Sequence, residues 1–201
     1  NMEYIILDIE TTGLDREHSS ILEVGAIRIA KNIIVDRFSS FIQYSDEVPE
    51  TIRRLTGITE EMVKNAPPLE EVIKQIKTFI KGYPVVSHNG FFFDFPLLER
   101  DGLKINEKYD SLEFAFFVMP TSIHGHSVAA LLEYFGLDKS PHRALEDCEL
   151  EFKIIQKLQE TQLKKSSQQR GALNYIANRI DWWWKNFLTG KQEEIIDIST
   201  L

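Results

Sequence analysis

Two carboxylates near the start of the chain, Asp8 and Glu10, have the spacing of a metal site. They follow the apolar run Tyr4–Leu7 in the stretch YIILDIETTGLD, and such a run is typical of a strand covered on both faces. Residues two apart in a strand point to the same side of the sheet, so these acids project side by side at the strand's end. Neighbouring buried carboxylates repel each other unless a cation lies between them. The pair therefore predicts a site for a divalent metal ion.

The Asp-x-Glu spacing alone does not identify such a site, because it occurs three times in the chain. The other two pairs are Asp15/Glu17 and Asp147/Glu149, and a solvated surface pair is the alternative for all three. Only the first pair follows an apolar strand and precedes Thr11–Gly13. That tripeptide predicts a tight turn with backbone N–H groups free to contact a ligand.

Two further acids occur in comparable surroundings later in the chain. Asp94 follows a second apolar strand in VVSHNGFFFDFPLLER, at the start of a predicted helix. In PHRALEDCEL, Asp147 is expected in the second turn of a helix, five residues after His142. Both can reach one site only if His142 belongs to the preceding loop, which Pro141 favours. Loops at strand ends of an α/β sheet gather together and commonly carry function, so one shared site is expected.

The elements that must position these residues alternate between strands and helices. Strands are predicted at Tyr4–Ile9, Ile21–Ala30, Ile33–Gln43, within YPVVSHNG and near Tyr109. Helices are predicted at Leu69–Ile80, Phe95–Arg100, Leu112–Val118, Ser127–Phe135, after His142 and at Leu173–Leu188. Lys31-Asn32 joins the second and third strands as a hairpin. This alternation predicts an α/β fold with a central mixed sheet and helices on its faces.

Composition excludes several classes of protein. The chain has 201 residues, 43% of them hydrophobic and 27% charged, which is ordinary for a globular domain. It has no apolar run long enough to span a membrane, and its single cysteine, Cys148, fits a reducing compartment, so a cytoplasmic location is expected. The net charge of −8 argues against a broad basic surface for phosphates. It still allows an enzyme that holds a few nucleotides and uses metal ions to neutralise its site.

The last 41 residues differ from the rest. After Gln159 the chain turns polar in ETQLKKSSQQR, which predicts a boundary between a domain at 2–160 and a helical extension or linker at 161–201. The extension carries six basic and four acidic residues. Its Trp182–Trp184 cluster is expected to pack on its own domain or a partner, or to stack on single-stranded substrate.

Four motifs together resemble the DEDDh family of 3′→5′ exonucleases, whose members include the proofreading subunit of bacterial DNA polymerase III and ribonuclease T. They are DIETTGL, LTGIT, HNGFFFD and HRALED, in the family's order, and the resemblance covers residues 4–158. It implies a ribonuclease H-like fold with a mixed five-stranded sheet. It also implies two Mg²⁺ or Mn²⁺ ions held by the four acids Asp8, Glu10, Asp94 and Asp147. His142 would be the general base.

The resemblance also implies a substrate and its contacts. The residues expected to bind it are Thr11, Thr12, Gly13, Leu14, His88, Asn89 and Phe93. Single-stranded DNA 3′ ends are the preferred substrate and RNA the second, with a polymerase or helicase as a partner or fused domain. The competing interpretations are a non-catalytic module that binds nucleic acid or protein, and a phosphatase-like metal hydrolase. The first requires a missing ligand, and the second leaves the ordered motifs unexplained.

Overall fold

A computed structural model describes residues 2–119 and 125–188, and its centre is a five-stranded sheet. The strands are β1 (Glu3–Thr11), β2 (Ile21–Ala30), β3 (Ile33–Phe41), β4 (Val85–Ser87) and β5 (Lys108–Asp110). Their order across the sheet is β3-β2-β1-β4-β5. The pairs β1–β2 and β2–β3 are antiparallel, whereas β1–β4 and β4–β5 are parallel. The predicted mixed five-stranded sheet is confirmed.

Helices cover both faces of this sheet. In the described residues they are α1 (Glu50–Thr56), α2 (Glu60–Lys64), α3 (Leu69–Ile80), α4 (Asp94–Arg100), α5 (Ser111–Val118), α6 (Val128–Phe135), α7 (Ala144–Leu163) and α8 (Ser167–Arg179). None of these helices is long and apolar enough to cross a membrane. Lys31 and Asn32 both have positive φ, 52° and 61°, as a two-residue hairpin turn requires, so the β2–β3 hairpin is also confirmed.

The alternation of β1 decides which face carries the site. Ile5, Leu7 and Ile9 pack into one core with residues of α3 and α4. Tyr4 and Ile6 pack into the other core, with residues of α5, α6 and α7. Asp8 and Glu10 continue the second series, so β1 presents both carboxylates to the α7 face of the sheet.

One expectation about β1 needs correction, because the strand continues past both acids to Thr11. Asp8 pairs with Gly25 and Glu10 with Glu23 in the β1–β2 ladder. The acids therefore lie within a paired strand rather than at its end. Pairing with β2 fixes their backbone. The local sequence of β1 does not show how far this pairing extends.

The C-terminal part also differs from the prediction. Helix α7 runs through residue 160 to Leu163, and the predicted helix Leu173–Leu188 is correct only for its first part, because α8 begins and ends earlier than predicted. Helix α8 ends at Arg179, Asp181 takes a left-handed φ of 49°, and Trp183–Phe187 forms a separate 3₁₀ helix. This break turns the aromatic residues back toward the sheet.

The tryptophan cluster packs against the chain's own core. Trp184 is fully buried and stacks on Phe114, with ring centroids 5.0 Å apart, and Trp183 stacks on Tyr109 at 4.1 Å. The division of the chain at residue 160 stays a prediction. The described residues beyond it nevertheless contribute side chains to the core that also contains Tyr4.

Replacing Trp184 with alanine should reduce the free energy of unfolding by about 3–5 kcal/mol, the usual cost of truncating a large buried aromatic residue. Urea denaturation followed by circular dichroism measures this change. Tyr175→Ala, at a tyrosine that is 47% exposed, is the matched control and should change stability little. A Trp184→Ala protein as stable as the control would contradict the packing of this segment into the core.

Candidate active site

The two acids of β1 are partly buried beside other carboxylates, and both have raised pKa values. Asp8 retains some solvent exposure, although protein atoms surround its carboxyl group. Burial, followed by the charges of Asp94 and Glu10, raises the pKa of Asp8 well above its ordinary value. Burial and the nearby Asp147 raise the pKa of Glu10 to about 8. Carboxylates that are this crowded need cations to ionise together near neutral pH.

Asp94 is the first residue of α4, is only 5% exposed and interacts electrostatically with Asp8. Burial raises its pKa to about 7. The preceding loop is tightly folded: a Cβ on Gly90 would lie 2.6 Å from the Cβ of Ser87, which no side chain tolerates. Asp110 accepts the Asn89 N–H at 2.7 Å and fixes the loop from β5. This loop brings Asp94 beside the acids of β1.

Asp147 and His142 come from the start of α7. Asp147 lies in the first turn, not the second as predicted, because the helix begins at Ala144. His142 precedes the helix with a left-handed φ of 52°, which confirms its expected place in the loop. Ser140 joins the two residues, since its hydroxyl donates to Asp147 Oδ1 at 2.7 Å and accepts the His142 N–H at 3.0 Å.

The donor set fits a divalent cation. Glu10, His142 and Asp147 each offer a ligand atom, and these atoms all lie within 4.8 Å of one another. Asp8 and Asp94 interact electrostatically with this group. Carboxylate oxygens are the ligands that Mg²⁺ and Mn²⁺ prefer, and a cation would relieve the repulsion that raises the pKa values of these acids.

The turn after β1 borders the site but is less open than predicted. The Thr12 N–H donates to the Ser20 carbonyl oxygen at 2.9 Å, and the Thr12 hydroxyl accepts the Ser20 N–H. The Thr11 hydroxyl donates to the Gly13 carbonyl at 2.6 Å. The expectation of free N–H groups is therefore wrong for Thr12. Leu14, by contrast, is 88% exposed and presents an apolar side chain at the turn.

Comparison with known proteins relates this arrangement to a family. A model described as exonuclease (RNase_T) matches residues 5–155, three quarters of the chain. The chain belongs to this exonuclease family. It is 35% identical over 176 residues to the DNA polymerase III PolC-type of Caldanaerobacter subterraneus, and 31% identical over 179 residues to that of Bacillus subtilis. These matches cover 83% and 85% of the chain but 12% of each relative, so the chain spans about an eighth of their length.

Solved structures support the same fold. Escherichia coli exonuclease I in complex with a dA16 oligonucleotide superposes with a TM-score of 0.66 and 15% identity, over 80% of this chain and 41% of that one. A 3′-exonuclease described as recognising the histone mRNA stem-loop gives a TM-score of 0.65 and 20% identity, over 79% of this chain and 64% of that one. The ribonuclease H-like exonuclease fold is thereby confirmed.

The remaining residues of this exonuclease that were expected to bind substrate lie in the loop before Asp94. Their side chains differ in how accessible they are. His88 has both ring nitrogens engaged, Nδ1 with the Ser111 hydroxyl and Nε2 with the His126 carbonyl, each at 2.9 Å. Phe93 packs against the core beneath α4. Asn89 is exposed. Direct contact with substrate stays a prediction for all three, and Asn89 has the most accessible side chain.

Two residues near the site of this exonuclease, Arg16 and Glu151, escaped the sequence analysis. Phe92 is 61% exposed and carries the Arg16 guanidinium over its ring at 4.7 Å, so the loop after β1 and the loop after β4 meet there. Glu151 is buried one helical turn after Asp147, accepts the Ser111 hydroxyl at 2.8 Å and has a pKa that burial raises to about 8. Glu151 continues the inward face of α7, and that spacing was a usable signal.

Proposed function

We propose that this domain is a metal-dependent 3′→5′ exonuclease that releases nucleoside 5′-monophosphates from single-stranded DNA. The observation that carries the proposal is the convergence of Asp8, Glu10, Asp94, Asp147 and His142 from three separate segments. Metal sites with an adjacent base are typical of phosphodiester hydrolysis. A non-catalytic module would need a missing ligand, and this set is complete.

The acids Asp8, Glu10, Asp94 and Asp147 would hold Mg²⁺ or Mn²⁺. The ions would supply Lewis-acid stabilisation of the charge that develops on the phosphate oxygens. The proposed number of two ions follows from the four-carboxylate set of the family. Glu10 and Asp147 lie next to His142, and Asp94 lies on the side of β4.

His142 would take the proton from the attacking water at a ring nitrogen. Its backbone is held between Ser140 and the start of α7. The imidazole ring therefore extends from a fixed point of the chain and lies beside Glu10 and Asp147. A positioned general base contributes about 10²–10⁴-fold to such a reaction. His142 suits this role better than His88, because both ring nitrogens of His88 are already engaged.

The substrate would enter over the turn at Thr11–Leu14. Leu14, Phe91 and Phe92 are exposed apolar side chains on two loops that Arg16 joins, and they offer contacts to a sugar and stacking surfaces for bases. Stacking is indifferent to base identity, which suits an exonuclease without sequence preference. Thr11, Thr12 and Gly13 would shape the turn that receives the terminal nucleotide.

The preference for DNA over RNA is supported by the relatives, which are named as DNA polymerase III of PolC type. The same names support a polymerase, rather than a helicase, as the partner or the remainder of a longer chain. A cytoplasmic location fits this assignment and the free, buried Cys148. RNA trimming is the second candidate, and equal kcat/KM values on DNA and RNA of one sequence would favour it.

A 5′-labelled single strand should be shortened one nucleotide at a time, and a 3′-phosphate should block the reaction. The turn follows Glu10 directly, so a terminal phosphate would bring up to two negative charges beside this carboxylate. Denaturing gels at successive times, with Mg²⁺ or with EDTA, measure the ladder. The matched control is the blocked strand after phosphatase treatment, which should regain full reactivity. Early release of labelled mononucleotide, or cleavage of a circular strand, would contradict the 3′→5′ direction.

A further inference from the structure

Glu23 is a buried carboxylate that the chemistry above does not use. It is 1% exposed within the mostly apolar strand β2 and lies opposite Glu10 in the β1–β2 ladder. Arg143 donates to it in a fork, Nε to Oε2 at 3.1 Å and Nη2 to Oε1 at 2.9 Å. The Ala144 N–H donates to Oε2 at 3.2 Å. A buried charge is tolerated only when it is paired in this way.

These hydrogen bonds also distinguish Glu23 from the acids that are proposed to bind metal. Both of its oxygens already accept N–H donors, and one of them accepts two. The crowded acids Asp8 and Asp94 have no such arginine fork. The fork therefore indicates a structural connection to the start of α7 rather than a further metal ligand.

The start of α7 is held to β2 at a second point, Gly25. A Cβ at this position would lie 2.3 Å from the carbonyl carbon of Ala144, so only glycine allows the contact. Glu23 and Gly25 are the ladder partners of Glu10 and Asp8. Strand β2 thus fixes the start of α7 relative to the two acids of β1.

His142 lies directly beside this connection. It directly precedes Arg143 and has a φ of 52°, a backbone conformation that residues other than glycine rarely adopt. Ser140 holds it from the preceding side, and the fork between Arg143 and Glu23 holds it from the following side. Such a turn persists only where its surroundings determine it.

We propose that Glu23, acting through Arg143, is a positioning residue that sets the placement of the His142 imidazole over the site. The proposal rests on the function proposed above, in which His142 is the base. Positioning through an outer layer of hydrogen bonds predicts a loss of turnover with unchanged binding of substrate.

The test compares Glu23→Gln in two backgrounds, wild type and His142→Ala. The substitution keeps the size of the side chain but removes its charge and one acceptor for the fork. The kcat and KM are measured on a DNA dinucleotide with Mn²⁺. The matched control is Glu149→Gln, because Glu149 pairs with Arg37 at 2.8 Å and joins the same helix to the same sheet away from His142.

In the wild-type background, Glu23→Gln should lower kcat about 10-fold or more, the usual scale for residues that orient an active group. KM should stay near its wild-type value, and Glu149→Gln should change neither constant. In the His142→Ala background, Glu23→Gln should have almost no further effect, because the group that it positions is gone. Arg143→Lys, which keeps the charge but cannot form the fork, should reproduce the loss and replaces Glu23→Gln if that protein does not fold.

An equal loss in both backgrounds, or none in the wild type, would overturn the assignment of Glu23. A wild-type protein without metal-dependent hydrolysis, or a His142→Ala protein with full turnover, would overturn the proposed function as well. An active wild type that is slowed by His142→Ala but not by Glu23→Gln would overturn the Glu23 assignment alone.

Discussion

Replacing Asp8 with asparagine should abolish hydrolysis and leave the fold intact. Asparagine has nearly the same size and fits the paired strand, so no cavity or backbone change is introduced. It removes a carboxyl group that interacts electrostatically with Asp94, Glu10 and Asp147. Without this carboxylate the metal-binding set is incomplete. The rate at which a 5′-labelled strand is shortened in Mn²⁺ measures the loss.

The control for this variant is Asp36→Asn, which removes an exposed carboxylate from the edge strand β3 and should keep wild-type activity. Circular dichroism spectra of both proteins should match that of the wild type. An Asp8→Asn protein that keeps more than a small fraction of wild-type turnover would remove Asp8 from the catalytic group.

The same substitution should stabilise the metal-free protein at pH 8. The pKa values of Glu10 and Asp94 rise to about 8 and about 7 in the folded state, from ordinary values of 4.5 and 3.8. A raised folded-state pKa gives stability that is complete below the unfolded value and is lost as pH rises through the folded value. In EDTA, the wild-type melting temperature should therefore fall from pH 4 to pH 8.

Asp8→Asn should flatten this decline, because it removes a carboxyl group whose own pKa is raised well above its ordinary value by burial and by the neighbouring acids. At pH 8 in EDTA the variant should melt above the wild type, and added Mn²⁺ should stabilise the wild type far more. A wild-type melting temperature that rises with pH in EDTA would show that the acids are not crowded as described.

The parts of the fold that the sequence predicts are those with a local signal. The apolar run before Asp8, the hairpin at Lys31-Asn32 and the spacing of α3 each depend on residues within a few positions. The loop position of His142 followed from Pro141 for the same reason. Local patterns of this kind survive folding because the tertiary structure does not oppose them.

The parts that the sequence did not predict depend on distant residues. His88 is engaged by Ser111 and His126, which stand 23 and 38 positions away. Trp184 stacks on Phe114, and this contact helps explain why the α-helix does not continue after α8. Glu23 had a detectable signal, a lone acid inside a buried strand, but its partner Arg143 lies 120 positions away. Contacts between residues that lie so far apart in the chain produce no periodic pattern in the sequence.

Replacing His142 with alanine should lower kcat by about 100-fold or more, the scale expected for the loss of a general base. The expected reason is that no other group in the described site is placed to accept the proton of the attacking water. The kcat on a dinucleotide, measured under saturating Mn²⁺, reports the loss. His18→Ala is the matched control, because His18 is an exposed histidine that pairs with Asp15, and its removal should leave kcat near the wild-type value.

Metal affinity decides whether His142 is a general base or a metal ligand. Both roles are open to it, because a ring nitrogen of His142 and carboxylate oxygens of Glu10 and Asp147 all lie within 4.8 Å of one another. If His142 acts on water, calorimetric titration of the alanine variant with Mn²⁺ should give nearly the wild-type affinity, because four carboxylates remain. If His142 is a metal ligand, the affinity should collapse together with kcat. Added imidazole should restore part of the rate only in the first case, because free imidazole can accept a proton from water without rebuilding the metal site. A collapse of affinity without rescue would therefore move His142 from the water to the metal.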